Sequence, residues 1–445
     1  MPAVRTPARL IAPALVGLAL VAGSPAGATP PSPASVAAVA SSAAVLAATV
    51  APSAVSRGPS RILLTPGRNT TTTQLISWTM GQKTGGMRLQ YRVAGRWSIK
   101  SVAATRRPAI ATKYSGSKAP RYIVSLTKLK PGTKYSYRIV TRYGTTSWYT
   151  FATKKAKAKS VTLLGLGDMQ VANRGVPKST VKRALKAAPG AVAVLQAGDV
   201  VNNPTKDKQW ADLFSAIGSS GRTRDWVVSV GNHERCLLIT CNALWAQGFR
   251  NYFAYAKNRF PKQSPMFYYV DYPGVRVVVL DTFSSDAATT QVSFLDRALA
   301  TNKQPFSIVL MHGPVYSSVA GRSSPVPAKI RQVIAKRNVD LVLSGHDHQY
   351  ARGYRSPNRT VYVTSVSGPK YYGANDANWR AGKAQRVVWA QGTSTFQVIT
   401  ISGRKLSYKA VVSHRGAGST SPFGPGAVLD RFVIDKTRRG DKIVR

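Results

Sequence analysis

The chain has 445 residues, of which 44% are hydrophobic. A chain of that length is too long to fold around one hydrophobic core. The length therefore excludes a single small domain and predicts about two domains. Lysine and arginine total 63 against 16 aspartate and glutamate residues, a formal net charge of +47. This charge favours anionic ligands, which include phosphate esters, nucleic acids, acidic wall polymers and anionic membranes, but it neither chooses among them nor indicates a fold.

The first 28 residues have the pattern of a secretory signal peptide. Two arginines precede an apolar run at residues 10–23, and small residues at 26–28 form a cleavage site. A second Ala- and Val-rich stretch, residues 35–55, allows a membrane anchor as the alternative, but its Ala and Ser content makes it weakly hydrophobic for a span of roughly 20 residues. We therefore expect residues 29–58 to be a low-complexity leader of a secreted protein without a stable membrane span.

Residues 59–153 are predicted to form a small all-β domain. Apolar and polar residues alternate in short runs such as 75–79, 89–93 and 135–139, and turns rich in Gly, Pro and Lys separate the runs. This pattern is typical of an antiparallel β-sandwich. Residues 126–137 resemble the end of a fibronectin type III-like domain, in which a Leu-x-Pro-x-Thr-x-Tyr turn leads into the next strand. A lysine-rich linker at 154–159, expected to be solvated, marks the domain boundary.

The second predicted domain, residues 160–435, has a different pattern. Short, continuous apolar runs alternate with segments of helical period, which favours a buried and largely parallel sheet. The runs are 161–166, 191–195, 226–230, 275–280, 306–310 and 339–343, and the amphipathic segments are 177–188, 205–217 and 291–301. A β pattern returns at about 396–434, so we expect an α/β fold of four layers, a β-sandwich flanked by helices, with a basic tail at 436–445.

Polar residues follow five of the predicted strands. In chain order they are Asp168, Asp199, the group Asn232-His233-Glu234, His312, and the group His346-Asp347-His348. Glu234 is the only glutamate, and four of the five histidines lie in these groups. Because sites in open α/β sheets assemble at the carboxyl ends of the strands, we expect the five loops to meet in one crevice.

Carboxylate oxygens and imidazole nitrogens are suitable ligands for zinc, manganese and iron. The set is too large for one tetrahedral ion, whereas one bridging carboxylate with separate terminal ligands suits two ions about 3.5–4 Å apart. Such a pair can hold a bridging hydroxide as nucleophile and stabilise the negative charge on a transferring phosphoryl group. The sequence therefore predicts a binuclear centre of iron, zinc or manganese that acts on phosphate esters.

The series Asp…Gly-Asp…Gly-Asn-His-Glu…His…Gly-His-x-His resembles the calcineurin-like metallophosphoesterase superfamily. With the front sandwich and the segment 348–352, the chain is similar to the purple acid phosphatase branch, over about residues 60–435. The resemblance implies that six residues bind metal: Asp168 and His348 the first ion, Asp199 both ions, and Asn232, His312 and His346 the second. It also implies that His233 contacts the substrate phosphate and can protonate the leaving group. Glu234 is expected to orient His233 or its loop, with a loop salt bridge as the alternative.

The chain departs from the branch at several positions. Purple acid phosphatases carry a tyrosine three residues after the bridging Asp, whose phenolate binds ferric iron, but this chain has Asn202. Many superfamily members place a metal-binding histidine two residues after the first Asp, where this chain has Gln170. We therefore expect no ferric-tyrosinate centre, and either Gln170 or Asn202 could give the first metal a neutral oxygen, unless water does so. No histidine lies between residues 314 and 344, where plant-type enzymes have additional ones.

Two cysteines, Cys236 and Cys241, lie just after the His233 group. In an exported protein such a close pair is expected to form a disulfide, and free thiols or metal ligands are the alternatives.

The leading functional hypothesis is an extracellular acid phosphatase-like phosphomonoesterase, either free or associated with the cell wall. A phosphodiesterase or nucleotidase with the same site is the alternative enzyme. A non-enzymatic protein that binds nucleic acid or wall polymer through its lysines and arginines is the alternative of another class. The expected partners are a phosphate-ester substrate and, by electrostatic association, anionic polymers, without a specific nucleic-acid site.

Overall fold

The part of the chain described by the computed structural model comprises residues 58–107, 117, 119–171, 175–237, 240–241, 246–255, 258, 260–261, 263–357, 359–437 and 441–445. The predicted signal peptide, the leader up to residue 57 and the apolar stretch at 35–55 lie outside the described residues. None of the helices in the described ranges combines the length and the apolar character that crossing a bilayer requires.

The predicted front sandwich is present. Its strands are β1 (Ser60–Pro66), β2 (Gln74–Thr79), β3 (Arg88–Val93), β4 (Lys100–Ala103), β5 (Thr105–Arg106), β6 (Arg121–Leu126), β7 (Lys134–Thr141), β8 (Gly144–Thr145) and β9 (Tyr149–Ala152). The order β1-β2-β6-β5 forms one layer and β4-β3-β7-β8, with β9 also on β7, forms the other. Along β7 every second side chain is buried, so that Tyr135, Tyr137 and Ile139 pack against Trp78 and Leu89. The period of two in the sequence reflects this one-sided burial.

The first catalytic sheet combines parallel and antiparallel strands. The strands are β10 (Ser160–Leu166), β11 (Ala193–Gln196), β12 (Asp225–Val228), β22 (Thr393–Ser402), β23 (Lys405–Arg415), β24 (Val428–Lys436) and β25 (Lys442–Val444). The pairs β10–β11 and β11–β12 are parallel, and β22 to β25 follow antiparallel beyond β10. Helix α1 (Gly175–Ala187), helix α2 (Asp207–Ile217) and a 3-10 turn (Gly218–Arg222) connect the parallel strands.

Short elements follow the third parallel strand. They are α3 (Asn232–Arg235), β13 (Cys236–Leu237), β14 (Thr240–Cys241) and α4 (Gln247–Tyr252). Cys236 and Cys241 are backbone partners in the antiparallel β13–β14 pair. Their side chains lie outside the described residues, so the disulfide stays a prediction.

The second catalytic sheet has the order β15-β16-β17-β18-β20-β19-β21. Its strands are β15 (Tyr268–Tyr272), β16 (Val275–Val279), β17 (Phe306–Leu310), β18 (Leu341–Ser344), β19 (Tyr350–Arg355), β20 (Thr360–Thr364) and β21 (Gln385–Ala390). The helices of this half are α5 (Thr290–Ala300), α6 (Ala328–Lys336) and α7 (Ala377–Ala381). The β16–β17, β17–β18 and β18–β20 pairs are parallel.

Both faces of the central strands are buried, which explains the continuous apolar runs. In β16, Val277 and Val279 belong to the core between the two sheets, whereas Val278 belongs to the core under α5 and α6. In β17, Ile308 belongs to the core between the sheets and Val309 to the core under the helices. A strand with helix on one face and sheet on the other has no solvent side, so the alternation disappears. The predicted α/β fold with a four-layer sandwich and a small all-β sandwich before it is confirmed.

The sequence did not predict the connection between the front sandwich and the catalytic sheet. There β1 pairs in parallel with β12, through Leu64 and Asp225. Asp225, only 1% exposed, accepts hydrogen bonds from Gln74 Nε2 at 3.0 Å and from Tyr272 Oη at 3.2 Å. Its Oδ2 also lies 3.0 Å from the buried Lys154 Nζ. One carboxylate therefore ties the front sandwich, the linker and both catalytic sheets.

Replacement of this carboxylate tests the join. Asp225→Asn leaves the buried ammonium of Lys154 without a counter-charge, and we expect a loss of about 3–5 kcal/mol in the free energy of unfolding. Chemical denaturation followed by tryptophan fluorescence measures it. Asp296→Asn, which removes a solvent-accessible ion pair with Arg337, is the matched control and should change the midpoint little. Equal midpoints for the two variants would contradict this role of Asp225.

Candidate metal centre

The polar residues predicted for the site come together where the parallel strands end. Asp168 follows β10, Asp199 follows β11, and His312 follows β17. The Asp168 carbonyl accepts hydrogen bonds from the amides of Ser367 and Gly368, so the loop after β10 is fixed against the segment after β20. The two catalytic sheets therefore contribute to one site, as carboxyl-end loops of α/β folds do.

Two carboxylates and one imidazole form the centre of the site. Asp168 and Asp199 are each 1% exposed and His312 is fully buried. His312 Nε2 lies 3.1 Å from Asp199 Oδ2 and 3.7 Å from Asp168 Oδ1. Its Nδ1 lies 2.6 Å from the carbonyl oxygen of Ala197, which can only accept, so Nδ1 carries a proton and Nε2 faces the carboxylates. These three residues form a group with the spacing to hold a metal ion.

Asn232 brings a second histidine to the same place. Its Oδ1 lies 3.0 Å from His312 Nε2 and 2.8 Å from His346 Nδ1. The rings of His312 and His346 are nearly perpendicular, with centroids 5.2 Å apart, and each ring also contacts the ring of Phe283. An amide oxygen and two imidazole nitrogens thus converge beside Asp199.

His348 lies on the other side of Asp168. Its Nδ1 donates to the Lys370 carbonyl at 3.1 Å, which leaves Nε2 as the free nitrogen, 3.7 Å from Asp168 Oδ1. The other carboxylate oxygen of Asp168 accepts the backbone N–H of His346 at 2.7 Å. The orientation of the His312 and His348 rings by backbone carbonyls is typical of metal-binding histidines.

Several buried polar atoms at the site have no hydrogen-bond partner among the described residues. They are Asp168 Oδ1 and the side-chain oxygen and nitrogen of Gln170, which is 5% exposed. A buried polar atom without a partner is unfavourable and rare. A carboxylate oxygen, an amide oxygen and free imidazole nitrogens fit a cation as the missing partner, so the residues present fit metal binding.

The charges of the site are strongly coupled. Burial raises the pKa of Asp168 to about 7, and the neighbouring Asp199 adds to this shift. Burial acts in the same direction on Asp199, but the imidazolium of His312 outweighs it and holds the pKa of that carboxyl well below its usual range. Burial would lower the pKa of His312, yet the carboxylates of Asp199 and Asp168 raise it to about 10.

The pKa values of the two histidines in the last loop are lowered, whereas that of His312 is raised. Burial and the charge of His312 lower the pKa of His346 to about 2. Burial lowers the pKa of His348 to about 3, against the attraction of Asp199. Both rings are therefore neutral at physiological pH, which is the state in which imidazole binds metals.

His233 lies at the edge of this group and is more accessible. Its side chain is 25% exposed, and its Nε2 lies 3.9 Å from Asp199 Oδ2. Its Nδ1 donates to the carbonyl of Asn202 at 2.7 Å, and its backbone N–H donates to Asp199 Oδ1 at 2.9 Å. The ring thus presents Nε2 beside the carboxylate without joining the buried set.

Glu234 contacts loops rather than the His233 ring. Its Oε2 accepts the backbone N–H groups of Asp199 and Gly231, each at 2.9 Å, and its Oε1 accepts that of Val201 at 3.1 Å. Burial and the charge of Asp199 raise the pKa of Glu234 to about 8. Of the two roles considered for Glu234, these contacts correspond to orientation of the loops, since its partners in the described ranges are backbone amides.

The remaining candidates have different surroundings. The side chain of Asn202 is exposed, and this residue reaches the site through its carbonyl. Asp347 accepts hydrogen bonds from Ser317 Oγ at 3.1 Å and Ser318 N at 2.6 Å, and so fixes the loop after His312. Burial raises the pKa of Asp347 to about 6.

Strained backbone is concentrated at the site. Gln170, Asp199, His346 and His348 have left-handed φ angles of 37°, 51°, 74° and 53°. Such conformations are unfavourable for residues with a Cβ and cluster where surrounding structure holds functional groups. Gly231 is needed for a different reason, because a Cβ there would lie 2.1 Å from Asp199 Oδ1.

The close approach of Gly231 to Asp199 generates a prediction. Gly231→Ala should displace the Asp199 carboxylate and reduce metal content in the folded protein by at least about tenfold, as misplaced ligands do. Gly190→Ala is the matched control, because a Cβ at Gly190 meets nothing within 4 Å. Metal analysis after dialysis, with circular dichroism to monitor folding, compares the two. Full metal content in Gly231→Ala would contradict the required geometry.

Comparison with known proteins agrees with the fold. Residues 161–350 match the calcineurin-like phosphoesterase family, and residues 59–153 match the purple acid phosphatase N-terminal domain. The fold and the site thus define a calcineurin-like phosphoesterase. With its N-terminal domain, the chain combines a calcineurin-like phosphoesterase domain with a purple acid phosphatase N-terminal domain, the domain composition of purple acid phosphatases.

Relatives are similar to this chain in sequence, and a solved structure is similar to it in fold. A phosphoenolpyruvate phosphatase of Allium cepa is 28% identical over 59% of this chain and 58% of its own length. The Fe(3+)-Zn(2+) purple acid phosphatase 12 of Arabidopsis thaliana is 24% identical over 67% of this chain and 66% of its own length. The chain thus spans about six tenths of the length of these relatives. The structure of a purple acid phosphatase from yellow lupin seeds has the same fold, with a TM-score of 0.70 and 19% identity, over 86% of this chain and 75% of that one.

Proposed function

We propose that this protein is a secreted phosphoric ester hydrolase that uses two metal ions and acts on phosphomonoesters. One observation carries the proposal: His312 Nε2 lies 3.1 Å from Asp199 Oδ2 and 3.0 Å from Asn232 Oδ1, and Asn232 Oδ1 lies 2.8 Å from His346 Nδ1. Donor atoms bound to one ion at 2.0–2.2 Å are about 3 Å apart, so these spacings suit a shared ion. Secretion rests on the signal-like pattern of residues 1–28.

The donor atoms divide into two groups that share Asp199. Asn232, His312 and His346 form one group, and Asp168 with His348 forms the other, to which the unpaired amide oxygen of Gln170 can be added. Iron, zinc and manganese are the candidate ions, and the Arabidopsis relative is an Fe(3+)-Zn(2+) enzyme by name. Two bound cations would supply Lewis-acid stabilisation of the phosphoryl charge and an activated water molecule.

His233 is the proposed general acid. The carbonyl of Asn202 holds the proton of Nδ1, so the transferable proton of the imidazolium lies on Nε2, the nitrogen that faces Asp199. Partial exposure lets an ester oxygen reach that nitrogen. Donation of this proton to the departing alkoxide prevents the accumulation of negative charge on the leaving group.

Positive side chains border the site on the His348 side. Tyr372 packs against the ring of His348, with ring centroids 4.6 Å apart. The guanidinium of Arg322 lies 4.9 Å from the centroid of the Tyr372 ring, and the ammonium of Lys370 lies 5.4 Å from it. These two cations attract an anionic ester before it reaches the buried carboxylates, and Phe283 provides an apolar wall opposite.

The division of roles between His233 and Asp199 gives an activity test. His233→Ala should keep both metal ions and lose about 10²–10⁴-fold in turnover, since one positioned proton donor contributes that much. Asp199→Asn should lose the metal ions together with the activity. His414→Ala, in β23 and outside the site, is the control and should retain both. Metal loss in His233→Ala, or turnover in metal-depleted Asp199→Asn, would refute the assignments.

A substrate panel separates the candidate reactions. A monoester, a diester, a nucleotide and an inositol phosphate should be compared by kcat/KM at matched ionic strength. The proposal expects the monoester to be preferred. A preferred diester or nucleotide would keep the metal centre but replace the substrate class. A folded, metal-loaded protein that turns over none of them would refute the hydrolase itself.

Proton release predicts the pH dependence of metal binding. The pKa of His312 is raised to about 10, so this ring holds a displaceable proton throughout pH 6–8, whereas Asp168, with its pKa raised to about 7, holds one mainly below pH 7. Metal affinity should therefore rise with pH by about tenfold per unit for each proton displaced. Chelator competition at pH 6, 7 and 8, corrected for protonation of the chelator, measures it. An affinity that is constant or falls over this interval would contradict the prediction.

A further inference from the structure

A second basic cleft lies at the opposite ends of the parallel strands. It has a volume of about 830 Å³ and is lined by the first residues of β10 and by the residues that precede β11 and β12. The metal centre lies at the carboxyl ends of the same strands. A strand of seven residues such as β10 spans about 23 Å, so the two places are separated by roughly that distance. We call this second place the lysine cleft.

The lining of the lysine cleft is cationic. Its basic members are Lys134, Lys154, Lys155, Lys157, Lys159 and Arg224. No aspartate or glutamate lines it within the described ranges. Lys154 is neutralised by Asp225 at 3.0 Å, which leaves five cations. Asp271, the acid that lines the adjoining hollow among the described residues, is paired with Arg276 at 2.7 Å.

Arg224 lies at the wall of the lysine cleft with an uncompensated charge. Its side chain donates to the carbonyls of Ala191 at 3.1 Å and Pro189 at 2.6 Å. The residue is half-buried, and burial lowers its pKa. Its guanidinium also donates to Thr223 Oγ1 at 3.4 Å, and a guanidinium held by neutral oxygens is oriented but still positive, as an anion-binding group must be.

The linker is fixed in place above the cleft. The amide of Lys154 donates to the Thr70 carbonyl at 3.0 Å, and its carbonyl accepts from Gly132 N at 3.0 Å. With its ammonium bound to Asp225, this residue is anchored at both ends. The following lysines are therefore presented together at the cleft, where their mutual repulsion is unfavourable unless an anion binds. A merely solvated linker would not require this anchoring.

We propose that the lysine cleft binds a compact oxyanion that carries three or more negative charges, of the oligophosphate type. The volume of the cleft lies within the range of small-ligand sites, roughly 300–1,000 Å³. A small anion can therefore fill it without a macromolecular partner. Inorganic oligophosphates and sulfated sugars share the chemistry that five clustered cations recognise. This site does not depend on the proposed hydrolytic activity.

The test uses tripolyphosphate and calorimetry on the full chain in the Asp199→Asn background, where the metal centre does not compete. The combined substitutions Lys155→Gln, Lys157→Gln and Lys159→Gln should weaken binding by about tenfold or more. The matched control replaces Lys178, Lys182 and Lys186, three exposed lysines of α1, with Gln and changes the net charge equally. The control should change the affinity less than twofold.

The outcomes separate the explanations. Saturable 1:1 binding that only the linker variant loses supports the proposal, and sucrose octasulfate or citrate in place of tripolyphosphate then identifies the preferred oxyanion. Equal losses in the two variants would show that net charge alone attracts the ligand and would overturn the site. Binding of a single-stranded oligonucleotide but not of tripolyphosphate would also overturn it. Unchanged thermal midpoints confirm that neither variant has unfolded.

Discussion

The structure depends on the burial of two carboxylates side by side. Asp168 and Asp199 are both removed from water. Two neighbouring negative charges repel each other strongly in a medium of low polarity. His312 lies between them and attracts both, which raises its own pKa to about 10. Metal cations also compensate the two buried negative charges, and they do so with more charge and through more donor atoms. The donor set, the strained loops and the buried acceptors without partners are all consistent with this constraint.

The fold holds this arrangement by contacts that lie outside the donor set. Glu234 fixes the loops after β11 and β12 through three backbone amides, and the carbonyl of Ala197 orients His312. Gly231 lets the backbone approach Asp199 more closely than any side chain would allow. Arg235 is bound to the buried Asp281 directly after Glu234, so the short helix that carries Asn232 and His233 is fixed at its end. Precise placement of donors by rigid surroundings is what a reactive centre needs.

The distribution of charge follows from where the few acids lie. Nine of the 16 acidic residues are buried. Some hold the architecture, as Asp225 does at the join of the sheets and Asp430 does with Arg352, and others form the metal centre. Acids engaged inside the protein cannot neutralise the surface. The 63 basic residues exceed the acidic ones by 47, and this surplus gives the protein a positive field that attracts anionic ligands.

The sequence alone determined the chemistry and the order of the elements. The apolar runs predicted β10, β11, β12, β16, β17 and β18 to within two residues at each end, and the polar groups after them include every donor that meets at the site. It could not predict the parallel pair of β1 with β12, the carbonyls of Ala197, Asn202 and Lys370 that orient the histidines, or the cleft beneath the linker. A backbone carbonyl is the same in every residue, and a cleft exists only between segments distant in sequence. The sequence therefore determines the type of each side chain, whereas tertiary packing decides the direction of each carbonyl and which distant segments lie close together.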